Sequence, residues 1–359
     1  MTGGRFKGKV KIVGAGLIGT SIGLALSKQG VSVYLEDLSP ATQRLASEYG
    51  AGEEFFEGVN PDLVIVCVPP EVTARLVKAE LQRHIQATVI DVSSVKSPIL
   101  DELAAEGADL TRYLGTHPMA GRERGGAVSG RADIFIGRPW VIAINSECSV
   151  ERVNDVEAMI LDLGAQPIRM SAKEHDRAVA LVSHVPQVVS SLLAARLVGA
   201  SGVELAGQGL RDTTRIAASD PKLWVQILGA NASEVEQVLV SFRDDLDTVI
   251  DALGNISGQG SLMALDRLIG NGNRGVEQLP GKHGSRKSDY QTFIVMIDDR
   301  PGELARLFAE VGEIGINIED MKLEHSPGAQ IGLVELSIAP KSADRLQAEL
   351  LERGWRFAG

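Results

Sequence analysis

The sequence predicts an α/β protein in three parts: a doubly wound sheet, an all-helical second domain and a small βαββαβ unit. Three observations carry this. From residue 9 to about residue 145, short β-branched runs alternate with amphipathic stretches, the pattern of a parallel sheet covered by helices on both faces. After Ile168 the strand signals stop, and apolar residues recur at spacings of three and four, which is helical periodicity. From residue 290 strand and helix signals return in the order βαββαβ, a ferredoxin-like plait. The expected boundaries are 1–170, 171–270, a linker over 271–289, and 290–359.

In the first part the strands read as Val10–Val13, Val31–Leu35, Leu63–Val68, Thr88–Val92 and Val141–Ile144. Leu17–Gln29, Ala41–Tyr49 and Glu71–His84 are the amphipathic stretches between them. In the second part Ala172–Val198, Leu223–Leu228 and Glu234–Leu253 read as helices, the first apolar enough for a core or a dimer interface. Residues 271–289 are rich in Gly, Asn, Lys and Arg and read as a tether, with the basic cluster Lys282, Arg286 and Lys287 solvated on it. The third part reads as strand Thr292–Ile297, helix Pro301–Val311, strands Ile316–Leu323 and Gly332–Ile338, helix Ala343–Leu351 and strand Trp355–Phe357.

The totals narrow the function. A chain of 359 residues exceeds one ordinary core. Its formal charge of −11 opposes nucleic acid and anionic membranes as partners. Aromatic residues make up only 4%, so aliphatic side chains must fill the cores. The two cysteines, Cys67 and Cys148, form no CxxC pair and no disulfide framework, which fits a reducing cytoplasm. Cys67 lies in an apolar run and reads as an inert buried thiol. No apolar run reaches the ~18 residues of a membrane span, and the polar residues before the first strand do not read as a signal peptide.

The strand Val10–Val13 ends in Gly14-Ala15-Gly16-Leu17-Ile18-Gly19, a GxGxxG that opens a helix. Asp37 follows the second strand, about 20 residues on. Alone, GxGxxG is weak evidence. Between a strand and a helix, with an acid in this place, it marks a Rossmann-type dinucleotide site. Gly14 permits the tight turn, Gly16 admits the pyrophosphate, and Gly19 lets the helix lie against the strand. The helix N-terminus, including Leu17 and Ile18, directs partial positive charge at the phosphates. Asp37 would accept the ribose hydroxyls of NAD and repel the extra phosphate of NADP, while Arg44 seven residues on could soften that choice. Val68 and Pro69 end the third strand at the crevice edge and are expected to line the cofactor.

Three constellations follow downstream: Asp91-Val92-Ser93-Ser94-Val95-Lys96; Gly115-Thr116-His117-Pro118-Met119-Ala120-Gly121-Arg122-Glu123; and Glu174-His175-Asp176-Arg177 with Ser183-His184-Val185-Pro186-Gln187, then Leu210-Arg211-Asp212-Thr213-Thr214-Arg215 and Trp224. Hydride transfer from a carbon that bears a hydroxyl needs a hydrogen-bond acceptor or base, and histidine suits the task near neutrality. His117, extended before Pro118 at a strand end, is the first candidate. His184, on a helix that shares a face with Asp176 and Ala180, is the second, with an interdomain structural role as its alternative. Arg211 or Arg215 could hold a carboxylate in a fork of donors. Their alternative is an ion pair with Asp212 or Asp220.

These motifs, in this order over residues 9–270, resemble the prephenate/arogenate dehydrogenase family. The resemblance implies NAD-dependent oxidative decarboxylation in tyrosine biosynthesis. It gives His117 the substrate's 4-hydroxyl, Ser94 the support of that histidine or the nicotinamide, and His184 a place in the substrate pocket. Arg215 would bind a substrate carboxylate, Trp224 would line the pocket, and Glu123 would sit at its mouth. Gln187 and Arg122 depart from the pattern of many relatives, so prephenate and arogenate both stand as substrates.

In the third part Asp298-Asp299-Arg300-Pro301-Gly302-Glu303 and Gly315-Ile316-Asn317-Ile318 resemble an ACT domain, the amino-acid sensor of biosynthetic enzymes. The resemblance makes Arg300, Pro301, Gly302, Asn317 and Ile318 the regulatory site and tyrosine its ligand, in a homodimer. A dimerisation plait without ligand is the alternative. Pro301 is expected in the helix's first turn and Asn317 at the opening of the second strand. No metal is expected. Two rivals complete the field. A β-hydroxyacid dehydrogenase would need a catalytic lysine on the helix over 171–198, where no lysine follows Lys173. A non-catalytic NAD and amino-acid sensor would not need complete crevice motifs.

Overall fold

The computed structural model describes residues 4–121, 125–279, 290–324 and 331–358. The chain divides into two compact units, Met1–Ala200 with Thr213–Ser241, and Ser201–Asp212 with Phe242–Gly359.

The first unit opens with β1 (Lys9–Val13), α1 (Leu17–Lys28), β2 (Ser32–Glu36), α2 (Pro40–Glu48), β3 (Glu53–Glu54), β4 (Leu63–Val66), α3 (Pro70–Arg83), β5 (Thr88–Asp91) and α4 (Ser97–Ala105). It continues with β6 (Tyr113–Pro118), β7 (Pro139–Ala143), α5 (Val150–Asp162) and β8 (Gln166–Met170). The sheet order is β3-β2-β1-β4-β5-β6-β7-β8. Period-two alternation divides its side chains between two cores: Ile12, Ile65 and Ile90 pack on one face, and Val64, Val66 and Val89 on the other.

The expected sheet was parallel throughout. One pair departs from this: β6 and β7 are antiparallel, with His117 opposite Val141. A parallel return needs a crossover, usually a helix. The connection between them offers only the single 3₁₀ turn Ala127–Ser129 among its described residues. Strands β3 and β8 were not read from the sequence, and of β6 only an end at His117 was. In β6 a glycine, a histidine and a proline interrupt the apolar run, and β8 is a largely exposed edge strand.

A capping box starts α6 (Ala172–Val179): Glu174 N donates to Ser171 Oγ and Ser171 N to Glu174 Oε2. A π turn, Ala180–His184, joins it to α7 (Val185–Ala195). This continuous helix, about a third buried, reaches the length and composition of a membrane span. The sequence reading found no such run. The helix nevertheless carries buried His175, Asp176 and His184, all hydrogen-bonded within the fold.

Next come α8 (Gln208–Thr214), a 3₁₀ turn Arg215–Ala217, α9 (Pro221–Ala230), α10 (Ala232–Gly254) and α11 (Ser261–Glu277). Residues 271–277, expected in the tether, are the last turns of α11. Propagating a helix already nucleated gains a hydrogen bond per residue, against ~1 kcal/mol for each glycine. Lys282, Arg286 and Lys287 lie outside the described residues.

The second unit ends in β9 (Gln291–Asp298), α12 (Glu303–Ile314), β10 (Asp320–Glu324), β11 (Ile331–Ile338), α13 (Pro340–Glu352) and β12 (Arg356–Ala358). The sheet order is β10-β11-β9-β12, antiparallel throughout. This is the βαββαβ order expected. Two details differ. Pro301 precedes α12 instead of entering its first turn, because Gly302 takes the N-cap position at φ 96°. Asn317 and Ile318 precede β10 instead of opening it. Val295, Leu307, Val334 and Leu346 build this unit's own core.

Candidate active site

The carboxyl ends of β1, β2, β4, β5 and β6 share one edge of the first unit's sheet, because these strands are mutually parallel. The glycine loop sits there. Gly14 takes φ 100° and donates its N–H to Glu36 O at 2.8 Å. A Cβ on Gly14 would lie 2.3 Å from the Cys67 carbonyl oxygen and 3.1 Å from Val68 Cγ1. A Cβ on Gly19 would lie 2.0 Å from the Gly14 carbonyl oxygen. Both glycines are therefore demanded by packing. A Cβ on Gly16 would meet nothing within 4 Å, and no side chain caps the α1 N-terminus above it. An open glycine beneath an uncapped helix end is a cradle for a pyrophosphate.

Asp37 Oδ2 accepts from Ala15 N at 2.7 Å and Oδ1 from Ser39 N at 2.8 Å. Each carboxylate oxygen keeps a lone pair for a ribose hydroxyl. Val68 and Pro69 follow β4 beside the loop, with Pro69 as N-cap of α3. The expected cofactor residues are thus brought together. Burial pushes the Cys67 thiol far up, as does the charge of Asp91, which fits its reading as inert.

At the end of β5 lies a buried ionic cluster. The Asp91 carboxylate pairs with the Lys96 ammonium and accepts from Tyr113 Oη at 2.7 Å and Ser93 N at 2.8 Å. Both charged residues are fully buried; burial pulls the Lys96 pKa down, and its pairing with Asp91 works against that shift. Gly115 makes room for it, since a Cβ there would lie 3.1 Å from Lys96 Cδ. Ser94, half-buried, lies on the same loop.

Asp176 joins this loop to α6. Its carboxylate accepts from Lys96 N at 2.8 Å and Ser97 N at 2.7 Å, at the N-terminus of α4. Oδ1 also contacts His175 Nδ1 at 2.8 Å. His175 Nε2 in turn lies 2.8 Å from His117 Nδ1. Burial opposes ionisation of Asp176, but hydrogen bonds from His175, Ser97 and Lys96 hold its carboxyl below the usual range. Burial first, then the charges of His175, Lys96 and His184, keep the His117 imidazole neutral well below its ordinary value. His117 was placed after a strand, at a sheet edge. It lies within β6, an inner strand, one residue from its carboxyl end.

His184 is buried below Trp224, edge to face at 6.1 Å between ring centroids. Asn231 Nδ2 donates to the Asp176 carbonyl oxygen at 2.9 Å and lies 3.1 Å from His184 Nδ1. Burial lowers the His184 pKa to about 4. Helix α9, which carries Trp224, contacts α3 through a 2.8 Å bond from Gln226 to Glu71. Gln187 is buried within reach of Ser219 Oγ at 3.5 Å. Arg215 is exposed at the 3₁₀ turn packed on α7. Arg211 is also exposed, but it belongs to the second unit. Glu123 and Arg122 lie outside the described residues.

Sequence reasoning quoted the motifs holding His175, Asp176, Asp91 and Lys96 without assigning these residues a role. A charged residue closing an apolar strand, and a His-Asp pair just after a capping box, were the signals available. Asn231 had none.

A dinucleotide cradle at a sheet's carboxyl edge, with a half-buried neutral imidazole three strands from β1, defines a nicotinamide-dependent oxidoreductase. The models of the prephenate dehydrogenase nucleotide-binding domain and dimerization domain match residues 22–169 and 171–265. The chain is 36% identical over 353 residues to the probable prephenate dehydrogenase NovF of Streptomyces niveus, covering 96% of this chain and 98% of that protein. It is 26% identical to the prephenate dehydrogenase of Lactococcus lactis, covering 97% and 99% of the two. Among solved structures, A. aeolicus prephenate dehydrogenase with hydroxyphenyl propionate and NAD+ is similar at TM-score 0.65 and 26% identity, over 75% of this chain and 98% of that one. Synechocystis arogenate dehydrogenase shares the fold at TM-score 0.63 and 24% identity, over 75% and 100% of the two. The chain belongs to the prephenate dehydrogenase family and is an NAD-dependent oxidoreductase.

Proposed function

We propose that the chain oxidises and decarboxylates prephenate to 4-hydroxyphenylpyruvate, with Gly14, Gly16, Leu17, Ile18, Gly19, Asp37, Val68 and Pro69 holding NAD. The observation that carries this is His117. Its Nδ1 is committed to His175, which leaves Nε2 to receive the substrate hydroxyl. NAD, when bound, supplies the hydride acceptor.

His117 draws on the hydroxyl hydrogen as the C4 hydride leaves, and the forming carbonyl pulls the electrons released with carbon dioxide into the ring. The product is a phenol, so the proton borrowed by His117 returns to the same oxygen. Ser94, on the loop tied to α6 by Asp176, orients the histidine or the nicotinamide. His184 directs a ring N–H at the substrate from under Trp224. Arg215 holds a substrate carboxylate, with Arg211 as its alternate. The resemblance assigns Glu123, outside the described residues, a role at the pocket mouth. Positioning supplies most of the acceleration.

In this reading residues 1–170 bind cofactor, 171–270 bind substrate and form a homodimer, and 290–359 form an ACT domain that binds tyrosine. Exposed apolar residues on the helical segment, such as Leu181, Val182 and Leu192 in one unit and Leu246, Ile250 and Leu262 in the other, support pairing with a second copy. The βαββαβ topology and the left-handed Gly302 before α12 support the sensor, with Arg300, Pro301, Asn317 and Ile318 around its ligand.

The test is NADH production by the purified chain with prephenate and with arogenate, each with and without tyrosine. Higher kcat/KM with prephenate is expected. Preference for arogenate would reassign the substrate, and turnover of neither would overturn the reading. Tyrosine inhibition lost on deleting residues 290–359 would assign regulation to that part.

A further inference from the structure

We infer that His175 and Asp176 are positioning residues that fix the tautomer of His117 and thereby make its Nε2 an acceptor; this rests on the reading of His117 above. The chain of contacts is directional. Asp176 Oδ1 already accepts from Lys96 N at 2.8 Å, and a carboxylate offers no proton. The proton between Asp176 and His175, 2.8 Å apart, therefore sits on His175 Nδ1. A His175 ring that holds only this proton offers Nε2 as a lone pair. The proton in the next 2.8 Å contact then belongs to His117 Nδ1. His117 Nε2 is left bare, the state a base requires. When that nitrogen takes the hydroxyl proton, the imidazolium donates through Nδ1 to His175, whose far side faces the carboxylate.

The same carboxylate caps α4 through Lys96 N and Ser97 N. One side chain thus locks both the histidine relay and the loop that carries Ser94. His175 and Asp176 are buried, so water does not compete for these bonds. Neither touches the reacting atoms, and their effect is exerted through His117.

The experiment uses the full chain labelled with ¹⁵N-histidine, with the His117 signals identified by their loss in His117→Asn. Wild type should show a protonated Nδ1 and a bare Nε2 on His117. In Asp176→Asn the amide oxygen can still accept from Ser97 N, while the amide nitrogen, in the place of Oδ1, loses the bond from Lys96 N but can donate to His175 and reverse both rings, so His117 should gain Nε2–H. Turnover should fall ~10²–10⁴-fold, the scale of a wrong-tautomer histidine, with KM changed little. His175→Leu should fall similarly. His175→Gln should recover turnover to within ~10-fold, because its Oε1 can accept from His117 Nδ1. An unchanged His117 tautomer in Asp176→Asn, or wild-type turnover in His175→Leu, would overturn the inference. Wild-type inactivity with both substrates would instead defeat the functional reading, and the nitrogen signals would still decide the relay.

Discussion

Asn231 and His184 share a 3.1 Å contact that settles which nitrogen of the histidine carries its proton. Asn231 Nδ2 also donates to the Asp176 carbonyl oxygen at 2.9 Å, and a carbonyl can only accept. The amide nitrogen therefore faces both groups, and His184 Nδ1 is the acceptor. A neutral His184 then bears its hydrogen on Nε2. The two site histidines present opposite faces, a donor on His184 and an acceptor on His117. Asn231→Leu would strip the partner from a buried carbonyl and a buried ring nitrogen. The expected cost is ~1–3 kcal/mol of stability, read as a lower denaturation midpoint, together with a raised KM. A variant as stable as wild type with normal KM would show that this contact does not hold His184.

His117→Asn should lower turnover ~10²–10⁴-fold with KM little changed, because the lost interaction strengthens only as charge develops. Steady-state NADH production checks this. Near-wild-type turnover would remove His117 from the chemistry.

The two loop glycines should separate binding from folding. Gly16→Ala adds a methyl where nothing lies within 4 Å. It should leave the unfolding midpoint in place and weaken NAD binding by ~10-fold or more, through lost approach of the pyrophosphate. Gly19→Ala drives a methyl to 2.0 Å from the Gly14 carbonyl oxygen and should lower the midpoint itself. Titration calorimetry beside thermal unfolding distinguishes the two. Equal effects of both variants on stability would contradict the geometry.

Stability should fall in mild acid. Burial lowers the pKa of His184 from 6.5 to about 4, and burial with the charges of Lys11 and Arg83 does the same for His84. In the unfolded chain both rings protonate near 6.5, while folded they stay neutral, so the unfolded state binds more protons. Their contribution is intact above pH 6.5 and is lost as the pH falls from 6.5 to about 4, by at most ~1.4 kcal/mol per pH unit for each group. Urea midpoints across that window measure it. His84→Gln, remote from the site, should flatten the slope by one group's share. A midpoint unchanged between pH 6.5 and 5 would refute the assignment.

The cofactor side was legible because its physics is local. Gly14, Gly16, Gly19 and Asp37 lie within one βαβ stretch, and each serves the turn or the helix beside it. The reaction side was legible only in part. His117 and His184 stood out as titratable residues in apolar surroundings. The bonds that set their protons come from His175, Asp176 and Asn231, whose meeting depends on how α6 packs against the junction of α9 and α10. No sequence spacing encodes that. The antiparallel turn of β6 into β7 escaped for a related reason: it follows from a connection whose described residues hold no crossover helix, and sheet patterning does not report strand direction. The tether was misjudged at residues 271–277 because composition outweighed the helix already running into it.

The π turn at Ala180–His184 sets the angular phase of everything after it. A regular helix advances ~100° per residue, so residues eight apart, such as Asp176 and His184, would sit ~80° out of step. A turn closed from i to i+5 advances less per residue and rotates His184 back toward the face of Asp176, within reach of Asn231. Exposed Leu181 and Val182 could change identity freely in the monomer without disturbing this. Removing either residue would leave Asp176 and His184 seven apart, and at the ordinary pitch seven residues sweep ~700°, only ~20° short of two full turns, so the shared face would survive the loss of the π turn. The π turn at Ala180–His184 thus carries one extra residue inside a helix whose two ends keep their faces.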